Sequence, residues 1–342
     1  MEEYKIEAQI TLQQDLSEGM AGGIKDGLKL VEDDESVVIL GGNDYVEQQA
    51  YIDVLKILKE SDGAILGKQI KSYFPGGYIS LGEGSRIKSI VEKPGEGNEP
   101  SDKINIVVHG FQKSGDLKEA LSKAESESDD VYEIALDLLF QEKNIQCVEY
   151  AGIWQAIKYP WHVLDMQEIL LKDELKGKDQ IIHNSVEIKD TARIRGNQII
   201  IEEGVQINDN AVIQGPCYIG KNCIIGNNAL VRNAHIEHNS VVGYNTEIAR
   251  SYVGSQVSTH ISYIGDSIVD KNVNFGAFST TANLRFDQKD IQVRIKDERI
   301  STKRNKFGAI IGSGAQIGIH SCLMPGCKVE KNEFVPPGEN KK

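Results

Sequence analysis

The sequence has few cysteines, no excess of positive charge and no long apolar run. Its five cysteines are odd in number and form no C-x-x-C pair, which favours neither a disulfide framework nor a zinc site. A net charge of −13 disfavours a nucleic-acid or anionic-membrane surface. No stretch reaches the 18 or so apolar residues of a membrane span, and the N-terminus has no signal-peptide pattern. These features predict a cytoplasmic protein that binds neither nucleic acid nor membranes.

The second half of the sequence repeats an aliphatic residue every six positions. With two one-residue slips, the repeat runs through Ile182, Ile188, Ile194, Ile201, Ile207, Ile213, Ile219, Ile225, Val231, Ile236, Val242 and Ile248, and it returns at Ile311, Ile317, Leu323, Val329 and Val335. Gly, Asn or Asp often follows within two positions, and these residues make tight corners because they tolerate positive φ. One inward aliphatic residue per short face is the hexapeptide signature of a parallel β-helix.

The first 150 residues lack this period and alternate apolar runs with segments of helical spacing. Predicted strands are 37–42, 64–70, 78–81, 86–94, 103–111 and 145–150, and predicted helices are 22–34, 48–61 and 130–144. Such alternation is typical of an α/β sheet. A further helix, 161–175, connects the halves. The sequence therefore predicts an α/β domain over 1–160, a linker helix over 161–178 and a β-helix over 179–342.

Four segments of the first half resemble the sugar-1-phosphate nucleotidyltransferases. They are EGMAGGI (18–24), VVILGGNDYV (37–46), IVEKP (90–94) and AGIWQAIKYPWHVLD (151–165). The resemblance implies a Rossmann-like sheet and suggests that Glu92 and Lys93 bind a sugar phosphate. A surface ion pair between these two residues is the alternative interpretation.

The first half also departs from that family's pattern. The glycine-rich loop that wraps the nucleotide phosphates is missing, so the resemblance implies a shortened domain that begins near the family's middle. The places of the two Mg²⁺-binding aspartates are taken by Gly42, with Asp44 two residues later, and by Ala156. Phosphoryl chemistry without these groups would lose most of its electrostatic stabilisation. We therefore expect neither Mg²⁺ binding nor nucleotidyl transfer in this half.

Four motifs of the second half resemble the acetyltransferase half of the bifunctional N-acetylglucosamine-1-phosphate uridylyltransferase/glucosamine-1-phosphate acetyltransferases, especially their archaeal relatives. They are HISYIGDS (260–267), NVNFGA (272–277), TANLRFD (281–287) and RNKFGAIIG (304–312), in the family's order and spacing. The resemblance implies a left-handed β-helix, a homotrimer with active sites between neighbouring chains, and acetyl-CoA as co-substrate.

The same resemblance assigns the catalytic residues. His260 matches the general base, and a histidine can take the proton that makes a sugar amine nucleophilic. Asn283 matches an asparagine near the reacting acetyl group, where an amide donor would stabilise the oxyanion. Outside their motifs, His260 would be interpreted as a solvated corner histidine and Asn283 as a turn asparagine.

The remaining matches concern binding. Tyr263 lies on the sugar side, Lys306 matches a substrate-binding lysine, Arg232 is a looser match to a phosphate-binding arginine, and the backbone of Ala277 lies near acetyl-CoA. The alternatives are a packed aromatic for Tyr263, a solvated charge run for Lys306 and a surface arginine for Arg232. No metal site is expected, since the histidines at 235 and 238 lack an evident third ligand.

The second half departs from its family at two positions. Phe278 replaces a glycine next to the acetyl-donor segment, where it would either crowd the site or point outward. Ala249 replaces a substrate lysine, and Arg250 follows it. Residues 279–306 break the six-residue period, so we expect them to form a loop that leaves the coil and supplies site residues.

Three functions are compatible with these observations. The first is an acetyl-CoA-dependent N-acetyltransferase acting on an amino-sugar 1-phosphate, for which glucosamine 1-phosphate is the best candidate. The second is surviving nucleotidyl transfer, with the missing half-domain supplied by another chain. The third is a non-catalytic regulatory subunit that associates with a full-length paralogue. The intact His260, Asn283 and Lys306 favour the first function.

Overall fold

The computed structural model describes residues 8–128 and 130–342, and the chain divides into two units after Ala156. The predicted domain limits at 160 and 178 stay predictions. In the structure the helix expected to link the halves belongs to the second unit.

The first unit alternates strands and helices. Its elements are a 3-10 turn Leu16–Glu18, α1 Gly19–Leu28, β1 Val37–Leu40, β2 Asp44–Val46, α2 Gln48–Leu58, β3 Gly63–Gln69, β4 Gly77–Leu81, β5 Ile87–Glu92, β6 Lys103–Phe111, α3 Ser114–Lys123, α4 Val131–Glu142, β7 Ile145–Glu149 and β8 Trp154–Ala156. The predicted strands and helices are all present. The structure adds α3 and the short antiparallel pair of β2 and β8.

The long strand β6 organises the main sheet of this unit. The sheet order is β5-β4-β6-β3-β7, and β1 pairs with the second half of β6. All described pairings are antiparallel except that of β3 with β7. Apolar helix faces cover both sides: one core contains Leu117, Leu136 and Phe111, and the other contains Val54 and Ile106.

The second unit begins with a 3-10 turn, Pro160–His162, and α5, and continues as a stack of short parallel strands. Its elements are α5 Val163–Leu175, β9 Gln180–Ile182, β10 Glu187–Ile188, β11 Arg193–Arg195, β12 Ile199–Ile201, β13 Gln206–Ile207, β14 Val212–Ile219, β15 Ile224–Ile225, β16 Leu230–Ile236, β17 Val241–Val242, β18 Glu247–Ala249, β19 Tyr252–Val253, β20 Tyr263–Gly265, β21 Ile268–Val269, β22 Asn274–Phe275, β23 Thr280–Thr281, β24 Gln292–Ile295, β25 Glu298–Ser301, β26 Ile310–Ile311, β27 Gln316–Ile317, β28 Cys322–Leu323, β29 Lys328–Val329, β30 Phe334–Val335 and β31 Asn340–Lys341. Pairing between successive coils is parallel, so the predicted parallel β-helix is confirmed.

The six-residue repeat builds a continuous core along the coil axis. The repeat residues from Ile201 onward are almost completely buried, whereas Ile182 and Ile188 are 38% and 43% exposed. These two were expected to point into a covered core, but they lie in the first coils, where the stack of coils ends. Asparagines at the corners adopt the left-handed conformation, with φ from 51° to 60° at Asn210, Asn222, Asn228, Asn239, Asn245, Asn272 and Asn332.

One insertion interrupts the stack. The expected loop over 279–306 begins slightly later, because β23 still pairs with β28 of the following coil. Beyond Thr281 the chain forms a hairpin of β24 and β25 and returns to the coil at β26. Buried Val293 and Phe307 pack with Trp161 and Leu164 at the start of α5 and fix the insertion to the β-helix.

Candidate functional site

Four of the side chains at one corner of the β-helix form a connected polar cluster. Asp266 follows β20, is 5% exposed and has a φ of 50°. Its two oxygens accept a forked pair of hydrogen bonds from the Arg250 guanidinium, each of 2.7 Å. The Asn283 side-chain nitrogen donates to Asp266 and, at 3.1 Å, to the Tyr263 hydroxyl. The insertion has therefore carried Asn283 next to Tyr263 and Asp266.

The orientation of the Asn283 amide follows from its neighbours. An ionised carboxylate can only accept hydrogen bonds, so the nitrogen and not the oxygen of the amide must face Asp266. Both amide hydrogens then point at Asp266 and Tyr263, and the carbonyl oxygen is the group left for a ligand. We expected Asn283 to offer an amide donor to a thioester. In this arrangement it offers an acceptor instead.

A cavity of about 670 Å³ opens beside this cluster. Four cations and two carboxylates line it, together with two amides: Arg250, Lys303, Arg304, Lys306, Asp266, Asp290, Gln288 and Asn305. The fork to Asp266 balances Arg250, and Arg304 pairs with Asp165 of α5. Among the ion pairs of the described residues, none involves Lys303 or Lys306. The cavity therefore carries an excess of positive charge in a chain of net charge −13.

His260 lies at the corner that precedes β20, and Ala277 lies at the corresponding corner of the next coil, before β23. His260 is exposed, and its carbonyl oxygen accepts a hydrogen bond of 3.2 Å from the Phe278 backbone of the next coil. The carbonyl oxygen of Ala277 accepts one of 3.0 Å from the backbone of His320 in the coil after that. Parallel coils thus align His260, Ala277 and His320 along one edge, although they are far apart in sequence.

Phe278 points outward at this edge. Its ring is 49% exposed and stacks on His320, with 4.9 Å between ring centroids and 7° between ring planes. Its φ of 62° is the left-handed conformation that the missing glycine would adopt without strain. The substitution therefore places an aromatic pair on the outside of the corner.

Arg232 lies apart from the cavity. Its guanidinium donates two hydrogen bonds, of 2.8 and 2.6 Å, to one oxygen of Glu247 in the next coil. Arg232 precedes Arg250 in the same column of the coil stack, because the Arg250 backbone donates to the Arg232 carbonyl. Only Arg250 lines the cavity.

In the first unit, Glu92 ends β5, and Lys93, the next residue, forms an ion pair of 3.1 Å with it. Lys93 has a φ of 43° and is half exposed. This geometry matches the alternative interpretation, a surface ion pair, and leaves sugar-phosphate binding by these residues a prediction.

Asp44, two residues after the replaced position Gly42, lies close to the second replaced position, Ala156. Asp44 pairs with Ala156 across the β2–β8 ribbon, and the Trp154 indole donates a hydrogen bond of 3.2 Å to the Asp44 carboxylate. One carboxylate thus stands where the resemblance implies two. Within residues 8–128 and 130–342, no group of three or more potential metal ligands occurs.

His235 has a packing role in the structure. Its ring stacks on Tyr218, with 4.3 Å between ring centroids, and lies tilted against Tyr252, at 5.3 Å. Its Nε2 lies 3.0 Å from a Glu237 oxygen. That contact lowers the pKa of Glu237, against the effect of burial.

The helices of the described chain are too short or too polar to cross a membrane.

Sequence analysis missed the role of Asp266 and left that of Arg250 open. The only signal was the aspartate that ends the Tyr-Ile-Gly-Asp run of the first motif. Gly265 in that run matters sterically, because a side chain there would overlap the Tyr263 hydroxyl. The contacts of Asp266 with Arg250 and with Asn283 cannot be read from the sequence, because these three residues lie in three different coils.

Two family models match the chain, one in each unit. The "nucleotidyl transferase" model matches residues 1–157, and the "bacterial transferase hexapeptide (six repeats)" model matches residues 198–233. Both matches agree with the resemblances found in the motifs.

Curated relatives match along most of the chain. A bifunctional sugar-1-phosphate nucleotidylyltransferase/acetyltransferase of Sulfurisphaera tokodaii is 30% identical over 336 residues, which is 97% of this chain and 80% of the relative. The bifunctional protein GlmU of Methanococcus aeolicus is 37% identical over 76% of this chain and 61% of its own length, and that of Methanocaldococcus jannaschii is 31% identical over 87% and 73%. The chain therefore belongs to the family of bifunctional sugar-1-phosphate nucleotidylyltransferase/acetyltransferases.

Proposed function

We propose that the second unit is an acetyl-CoA-dependent N-acetyltransferase that acts on an amino-sugar 1-phosphate, with glucosamine 1-phosphate as the first candidate. The observation that carries the proposal is the cationic cavity lined by Arg250, Asp266 and Lys306. Asp266 follows the strand that His260 precedes and binds Asn283, which in turn contacts Tyr263. A site for this reaction needs a base for the amine and cations for the phosphate. Membership of the family and the hexapeptide match support the same reaction.

The chemistry assigns a task to each group. His260 takes a proton from the sugar ammonium, and the neutral amine attacks the thioester carbonyl carbon. The C–N bond forms, the C–S bond breaks, and the amine loses a second proton as the CoA thiolate leaves and is protonated. The side-chain amide oxygen of Asn283 accepts a hydrogen bond from the amine and orients it. Lys306 holds the phosphate as a point charge.

The donor side is proposed from the family resemblance. The edge formed by His260, Ala277 and His320 would receive acetyl-CoA, with the Ala277 backbone beside the thioester. Because such sites lie between chains in this family, we propose a homotrimer, with a solution mass of three times the 37.8 kDa chain. Light scattering after gel filtration measures this mass, and a monomer would contradict the assembly.

The test of the function is thiol release from acetyl-CoA in the presence of glucosamine 1-phosphate. We expect release by the native protein and a loss of roughly 10²–10⁴-fold in His260→Ala, the usual contribution of a general base. Lys306→Ala is expected to raise KM for the sugar phosphate. The matched control is Lys296→Ala, at the exposed tip of the same insertion. No release by the folded native protein, with galactosamine 1-phosphate also tried, would favour the regulatory subunit.

For the first unit we propose that nucleotidyl transfer is lost. The support is the single carboxylate of Asp44 opposite Ala156, where metal-assisted transfer in the family uses two. Incubation with nucleoside triphosphates, Mg²⁺ and N-acetylglucosamine 1-phosphate should release no pyrophosphate. Release that depends on Asp44 would refute the proposal.

A further inference from the structure

The Tyr263 hydroxyl faces a nitrogen that can only donate hydrogen bonds. The Asn283 side-chain nitrogen donates to it at 3.1 Å. The same nitrogen also donates to the Asp266 carboxylate, so the Asn283 amide is turned with its nitrogen, and not its oxygen, toward the hydroxyl. The hydroxyl oxygen must therefore accept, and its own hydrogen points to a partner outside the cluster. Among the hydrogen bonds of the described residues, none uses that hydrogen.

Asp266 fixes both donors. Its carboxylate takes the Arg250 fork at 2.7 Å on each oxygen and also accepts from Asn283. It is nearly buried, and hydrogen bonds to an ionised group in such a place are among the stronger ones in proteins. Without the charge on Asp266, nothing would determine which end of the Asn283 amide faces Tyr263.

Backbone hydrogen bonds fix the positions of Asp266 and Asn283. Asp266 sits in the left-handed conformation at a corner, with Gly308 of the following coil donating to its carbonyl oxygen at 2.8 Å. The backbone of Phe307, where the insertion rejoins the coil, donates to the backbone carbonyl oxygen of Asn283 at 2.9 Å. The following coil therefore fixes the backbone of Asp266, and the returning insertion fixes the backbone of Asn283, from which the two side chains meet.

We propose that Asp266 is a positioning residue of the acetyl-acceptor site. By fixing Arg250 and Asn283, it leaves the Tyr263 hydroxyl free to donate a hydrogen bond to the sugar phosphate. It also turns the side-chain oxygen of Asn283 toward the amine. This inference rests on the proposed acetyltransferase function and deepens it. Asp266 does not touch the reacting atoms and acts only through its two partners, Arg250 and Asn283, and through Tyr263 beyond them.

The test is Asp266→Asn, which keeps the shape of the side chain and removes its charge. The new amide cannot accept from Arg250 and Asn283 as the carboxylate does, so the Asn283 amide loses its fixed orientation. We expect kcat for acetyl transfer to fall by about 10- to 100-fold, the value of one or two hydrogen bonds to a charged group. The control Asp297→Asn removes a fully exposed carboxylate at the tip of the insertion and should leave kcat unchanged.

A purely electrostatic role predicts a different result. Removing a negative charge beside a cationic cavity would by itself tighten phosphate binding, so KM for glucosamine 1-phosphate would fall while kcat stayed the same. That split between KM and kcat would overturn the proposal.

A purely structural role is tested with Tyr263→Phe, which deletes the donor. If Asp266 acts through Tyr263, the double variant Asp266→Asn/Tyr263→Phe loses little more activity than the more impaired single variant. If the two losses multiply, the residues act independently and the proposal is wrong. Circular dichroism and thermal unfolding of each variant confirm that the β-helix is folded.

Failure of the proposed function can be told apart from failure of this inference. If the native protein transfers no acetyl group, calorimetry with glucosamine 1-phosphate measures its binding directly. Weaker binding by Asp266→Asn, with the same non-additivity toward Tyr263→Phe, would sustain the positioning role at a site that only binds. Unchanged or absent binding would overturn it.

Discussion

Acid should destabilise the first unit through one buried histidine. His109 in β6 is fully buried; its ring nitrogens lie 2.8 Å from the Tyr132 hydroxyl and 2.6 Å from the Asn105 amide oxygen. Burial lowers the pKa of His109 from 6.5 to about 3. Burial also raises the pKa of Tyr132 well above 10, so its hydroxyl stays neutral and cannot offset a charged imidazole.

The sign follows from proton binding in the two states. Between pH 3 and 6.5 the unfolded chain protonates this histidine and the folded chain does not, so stability falls as the pH falls. Between pH 7.5 and 5.0 the loss from His109 alone is about 2 kcal/mol, calculated from the two pKa values. Most exposed carboxylates stay ionised in this range and contribute little.

The two tryptophans make the assay specific, because Trp154 lies in the first unit and Trp161 in the second. In a Trp161→Phe background, urea unfolding followed by tryptophan fluorescence reports the first unit. His109→Gln removes the titration but keeps a hydrogen-bonding side chain, so its unfolding free energy should lose about 2 kcal/mol less between pH 7.5 and 5.0. His183→Gln, at an exposed position, should behave like the native protein. Equal pH dependence with and without His109 would refute the reasoning.

Two further predictions concern the second unit. Ile213→Ala should cost about 2–5 kcal/mol because this side chain is fully buried in the coil core, whereas Ile182→Ala, at a position 38% exposed, should cost far less. Urea unfolding measures both, and equal losses would contradict the placement of Ile182 at the end of the stack. Phe307→Ala should cost about 3–5 kcal/mol and speed tryptic cleavage of the insertion, because Phe307 anchors it beside α5. Cleavage at the native rate would show that the anchor lies elsewhere.

Local patterns accounted for most of the secondary structure. The six-residue repeat identified the inward side chains, because each face of a coil is one short segment whose middle residue points inward. Helix α3 escaped notice because its sequence is largely polar, although buried Leu117 and Leu121 have helical spacing. The β2–β8 pair escaped because its strands are three residues long and more than 100 positions apart.

Site residues were predictable only where a motif marked them. His260, Tyr263, Asn283 and Lys306 were identified by resemblance, and the structure joins Tyr263 and Asn283 directly. The orientation of the Asn283 amide could not be foreseen, because it depends on a carboxylate 17 positions away. The ion pair of Arg232 with Glu247 could not be foreseen either, because it forms only when one coil stacks on the next.

The sequence by itself determined the two architectures, the coil core and the identity of the residues that could carry acetyl transfer. The architectures and the core follow from apolar periodicity, which is local, and the site residues follow from the resemblance of their motifs to the family. Only the tertiary structure decided that Asp266 binds Arg250 and Asn283 and leaves the Tyr263 hydrogen available. The physical reason is that coils of unequal length and a returning insertion set which corners align, and hydrogen-bond direction then depends on that alignment.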